Sequence, residues 1–85
     1  MKEELTKLVG DLLDEENVFI DDVYLEKEGK DNYLRVVIDT KDKTDIIDIE
    51  RIVRITKIID PIVEKANLVN DLYILDVYAK SKGDN

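Results

Sequence analysis

Two short runs constrain this chain more than anything else in it. VFIDDVYLEK (18–27) and NYLRVVID (32–39) alternate apolar and polar residues and are rich in β-branched and aromatic side chains. That is the period-two signature of strands. The turn EGKDN that joins them is short and contains Gly29, so the natural pairing is an antiparallel hairpin. Alternation assigns Phe19, Val23 and Leu25 to one face, together with Leu34, Val36 and Ile38 of the second strand.

A hairpin alone cannot bury that face, so the flanking segments have to cover it. Residues 2–16, KEELTKLVGDLLDEE, carry Leu5, Leu8, Val9, Leu12 and Leu13 on a helical stripe. Gly10 interrupts this helix at a cost of about 1 kcal/mol relative to alanine, which predicts close packing there. Asn17 follows the stripe and suits the left-handed geometry that closes a helix. A second helix is predicted from Asp48, a good N-cap, with Glu50 in its first turn. Asp60-Pro61 reads as a second cap with proline at a first helical position, so a kink or break is expected there. LYILDVYA (72–79) forms a third strand with Tyr73, Leu75 and Val77 toward the core.

The predicted class is therefore α+β: an α-β-β-α-β order, with a three-stranded mixed sheet and both helices packed on one face. A right-handed crossover is expected for the helix that joins the two parallel strands. Leu12, Val36, Ile52 and Ile59 are expected in the core. The 85 residues read as one domain, with a polar tail from about residue 80.

Composition narrows the function. Hydrophobic residues make up 44% and charged residues 40%, which describes a soluble globular domain, and no apolar run is long enough for a membrane span. Cysteine and histidine are absent, and Ser81 is the only serine. The usual nucleophiles, general bases and soft metal ligands are thus missing, which argues against an enzyme and against a cofactor. A cytoplasmic location follows by default. The net charge of −8 disfavours sequence-specific nucleic-acid binding and favours a basic partner. An RNA-binding KH fold would need a GxxG clamp. Gly10, Gly29 and Gly83 do not supply one.

Two places could carry a function. Asp39, Asp42, Asp45 and Asp48 recur at every third position in the loop after the second strand. A calcium loop requires tighter alternation, a central glycine and a terminal bidentate glutamate, so a solvated joint is the simpler reading and no metal site is assigned. Asp42 and Asp45 are kept as candidate contacts for a basic partner. The other place is the outer sheet face, where alternation puts Tyr24, Tyr33, Val37, Ile74 and Tyr78, with Arg35, Glu26 and Asp76 among them. Tyrosine is enriched at interfaces, but cross-strand pairs of this kind also stabilise small sheets.

NVFIDDVYLEKEGKDNYLRVVID, followed by a capped helix and then YILDV, resembles the N-terminal domain of the RimP family of bacterial ribosome maturation factors. The likeness spans about residues 5–78. The family's LRVYID strand corresponds to Leu34–Asp39, and its Y-x-LEV strand to Tyr73, Leu75, Asp76 and Val77. Asn17 stands where the family has a helix-ending glycine, and Val63-Glu64 where it has a Leu-Asp pair. The loop after Asp39 is longer and lacks the family's glycine pair. Tyr78, Ala79, Lys80 and Ser81 replace a Ser-Ser-Pro-Gly segment, and the family's C-terminal small β-barrel domain is absent from these residues. The resemblance implies a ribosome biogenesis role without catalysis. It implies binding to the small (30S) ribosomal subunit, or to a basic ribosomal protein of it, as a monomer or weak dimer. The alternative reading is an acidic protein-interaction module or homodimer, using the Ile55, Ile58, Ile62 flank of the second helix.

Overall fold

The computed structural model describes residues 1–80, so most of the polar tail lies outside the described residues. The order is α1 (Lys2–Asp14), β1 (Val18–Glu28), β2 (Asp31–Thr40), α2 (Ile49–Ala66) and β3 (Ile74–Ala79). Local chemistry accounts for most of these boundaries. α1 ends at Asp14 with Glu15 as its C-cap, and the turn that follows closes at Asn17, which adopts a φ of 59°. At the hairpin, Glu28 pairs with Asp31, which leaves a two-residue turn with Gly29 at a φ of 60°. Glycine tolerates that conformation at no steric cost, as a tight hairpin turn requires. The Asp48 carboxylate accepts from the Arg51 amide at 2.9 Å and caps α2. At the other end of α2, Asn67 takes the left-handed conformation with a φ of 53°.

The sheet order is β1-β2-β3, antiparallel between β1 and β2 and parallel between β2 and β3. Both helices cover one face. Leu5, Val9 and Leu13 of α1 and Ile55, Ile59 and Val63 of α2 share a single core with Val18, Ile20, Val23, Leu34, Val36, Ile38 and Val77. Tyr73 and Leu75 pack against it from the edge. Among the described residues no helix is long and apolar enough to cross a membrane.

Five expectations are corrected. Phe19 does not share a face with Val23: a bulge between Ile20 and Asp22 inserts Asp21, so Val18 and Ile20 point inward and Phe19 outward. Leu12 is not in the core but 42% exposed, because the sheet meets α1 along Leu5, Val9 and Leu13 and leaves Leu8 and Leu12 on the flank. Gly10 lies off the same stripe, and a Cβ there would meet nothing within 4 Å.

The fourth is Pro61. α2 runs without interruption from Ile49 to Ala66 with this residue inside it. The ring removes one amide donor, but Lys57 and Pro61 are both exposed, so the carbonyl deprived of that donor lies on the water side. Ile59 and Val63, fully buried on either side of the proline, hold the helix to the sheet. Ile55 is fully buried as well and so cannot form part of a self-association surface. Ile52 and Ile62 pack at the margin of the core.

Candidate functional site

The outer sheet face is assembled by cross-strand register. Tyr33 pairs with Ile74, Arg35 with Asp76, and Val37 with Tyr78, while Tyr24 and Glu26 of β1 oppose Arg35 and Tyr33. All five apolar and aromatic residues assigned to this face, Tyr24, Tyr33, Val37, Ile74 and Tyr78, are therefore brought together on it. They are not equally available. The hydroxyls of Tyr24 and Tyr78 hydrogen-bond at 2.6 Å across β2, and Val37, between their strands, is only 7% exposed. Ile74 is 46% exposed, and Tyr33 is half-buried.

Arg35 organises the centre. Its Nε donates to Glu26 at 3.0 Å and its Nη2 to Glu28 at 2.6 Å, while Nη1 bonds Asp76. The guanidinium also lies over the Tyr33 ring, 4.4 Å from the centroid, a cation–π geometry. These three carboxylates, Asp76 first, hold the guanidinium firmly in its charged form. The face is thus a tyrosine bridge and an arginine cluster, edged by exposed Phe19 and Ile74.

Asp42 and Asp45 lie apart from it, in the loop that follows Thr40. Asp42 accepts from the Thr44 amide at 2.9 Å and the Thr44 hydroxyl at 2.8 Å. Asp45 bonds the Ile46 amide and forms an ion pair with Arg51 at 2.9 Å. Arg51 in turn donates to the Glu16 carbonyl at 2.7 Å. Arg54 grips the Glu16 carboxylate at 2.9 Å and holds it below the usual carboxylate range. The acidic ladder is accordingly a structured joint between β2, the end of α1 and the start of α2.

A protein-family model for the RimP N-terminal domain matches residues 8–79. The chain belongs to the RimP N-terminal domain family. None of the curated proteins gives a significant match. The matched span contains the whole sheet, so the arginine cluster and the tyrosine bridge are features of this RimP domain itself and not of an appendage.

Sequence reasoning placed Arg35, Glu26 and Asp76 on this face but missed Phe19 and the part played by Glu28. A signal for Phe19 was present: Ile20 and Val23 are three residues apart across Asp21-Asp22, one more than strand alternation allows. The tyrosine bridge has a consequence for alkaline stability. The hydrogen bond to Tyr24, with burial, pushes the Tyr78 phenol up to about 12. Unfolded tyrosine releases its proton near 10, so between these values the unfolded chain has lost a proton that the folded one keeps. Stability from this bridge is complete below about pH 10 and falls as pH rises toward 12. Titration of tyrosinate absorbance should show Tyr78 as the last phenol to ionise. Tyr78→Phe should remove that last phase and flatten the alkaline fall in melting temperature.

Proposed function

We propose that this RimP N-terminal domain assists maturation of the small (30S) ribosomal subunit in the cytoplasm by binding, without catalysis, a basic ribosomal protein. Family membership over residues 8–79 carries the reading. The net charge of −8 suits steering toward a basic partner. Tyr33, Ile74, Phe19 and Tyr78 supply contact area around Arg35, whose donors are already satisfied within the face. The tyrosine bridge holds Tyr78 and the arginine cluster holds Tyr33 in advance, so little entropy of these two side chains is lost on docking. Asp42 and Asp45 add negative potential from the loop.

Co-sedimentation of the purified chain with small subunits tests this. Binding should weaken as salt rises, because exposed charges are screened within about 8 Å at physiological ionic strength. Tyr33→Ala and Ile74→Ala should each raise the dissociation constant roughly tenfold, about 1.4 kcal/mol. Asp42→Asn with Asp45→Asn should mainly slow association. Binding that persists in high salt and ignores both apolar substitutions would overturn the surface assignment. Failure of the folded chain to bind at all would overturn the reading.

A further inference from the structure

A groove opens on the helix-bearing side of the domain. It lies between the last turns of α2 and the loop that leads into β3, with a volume of about 510 Å³. Its floor is apolar: Val63 is fully buried, and Tyr73 and Leu75 pack against the core. Its walls carry Asp60, Glu64 and Asp71. A second hollow of about 470 Å³ shares Asp71, Leu72 and Tyr73 with the first and continues to Asp31 and Asn32 at the hairpin end. The two hollows adjoin at these shared residues, and Leu72 lines both; together they are called the track. Leu72 is 94% exposed, the most exposed large apolar residue among those described.

Among the described residues, the acidic walls of this track carry no neutralising ion pair, unlike the acids gathered around the arginines. Asp14, Glu16, Glu26, Glu28, Asp45 and Asp76 each have a lysine or arginine partner. Among the described residues Asp60, Glu64 and Asp71 have none within 4.0 Å. Asp60 and Glu64 are one turn apart on α2, where like charges repel, and Glu64 lies in the last turn, where the helix dipole also disfavours an anion. Lys30, at the far end of the track, is the one cation lining either hollow among the described residues. Burial first, and then Asp60 and Glu64, raise the Tyr73 phenol, so the negative field reaches the apolar floor.

We propose that this groove binds an extended lysine- or arginine-rich peptide segment of a basic protein, with an aliphatic side chain of that segment packed against Leu72 and Tyr73. The walls supply the charge complementarity, and two adjoining hollows suit an extended chain rather than a compact small molecule. Two local costs, the repulsion on α2 and the bare Leu72, are both relieved by that occupant. The inference rests on the basic partner proposed above, but its test needs no ribosomal component, so the two can fail separately.

The probe is a fluorescein-labelled peptide of alternating lysine and leucine, followed by anisotropy. Peptides of the same length made of lysine and serine, or of glutamate and leucine, serve as comparisons. The lysine-leucine peptide should bind most tightly and the glutamate-leucine peptide not at all. Replacing the wall acids together (D60N, E64Q and D71N) should weaken binding at least about tenfold. A charge-matched set on α1 and its C-cap (E3Q, D11N and E15Q), which lines neither hollow, should weaken it less than about threefold. Leu72→Ser should reduce affinity to that of the lysine-serine peptide while leaving the melting temperature unchanged. Equal weakening by both charge sets would mean diffuse attraction and overturn the groove assignment. So would indifference to Leu72→Ser, or displacement of amide resonances only outside residues 30–32 and 60–75.

Discussion

Truncation of Ile59 to alanine will cost about 2–5 kcal/mol and unfold a large part of the population. Ile59 is fully buried, halfway along the stripe of α2 that also carries Ile55 and Val63. It belongs to the one core shared by both helices and all three strands. A domain of this size buries little to begin with and has total stability of only about 5–15 kcal/mol. Removing three carbons there forfeits their transfer from water and leaves a cavity that packed neighbours cannot close. Leu12→Ala is the matched control: a leucine truncated on a helix, but 42% exposed, with an expected cost below about 1 kcal/mol. Denaturant unfolding of the two variants measures the difference. Comparable losses would show that the buried stripe of α1 is not Leu5, Val9 and Leu13.

Arg35→Met will give the largest loss of any substitution on the outer sheet face. Methionine keeps much of the aliphatic stem, so the change isolates the charge. It leaves Glu26, Glu28 and Asp76 converging on a site without a cation and removes the guanidinium from the Tyr33 ring. Part of the Arg35 side chain remains wet, at 15% exposure, so water screens some of the repulsion, but a three-carboxylate network is a stronger case than an isolated surface pair. The melting temperature should fall at neutral pH. High salt should narrow the gap from the unsubstituted chain, because it screens the repulsion among the three carboxylates. A gap that salt does not change would mean that Arg35 acts by packing and not by charge.

The sequence by itself determined whatever depends on a few adjacent residues. Gly29 made the hairpin turn, Asn17 closed the turn after α1, Asp48 set the start of α2, and alternation from Val23 onward put Tyr24, Tyr33, Val37, Ile74 and Tyr78 on one face. The element order, with a short turn and then a helical crossover, set the mixed pairing of the sheet, and the RimP likeness came from the same strands. Tertiary structure decided the rest. Which of the α1 leucines are buried depended on where the sheet meets the helix, since Leu8 and Leu12 fit the helical period as well as Leu5 and Leu13 do. Pro61 stayed within α2 because buried Ile59 and Val63 outweigh the loss of a single solvent-side hydrogen bond, a comparison that propensity cannot make. Arg35 could be placed on its face from β2 alone, but its partners come from residues 7, 9 and 41 positions away. Asp60, Glu64 and Leu72 looked like ordinary surface residues until the chain folded a groove between them. Turns and caps are set by short-range sterics and local hydrogen bonds, whereas burial, ion clusters and grooves are set by distant segments meeting, and no local pattern encodes those meetings.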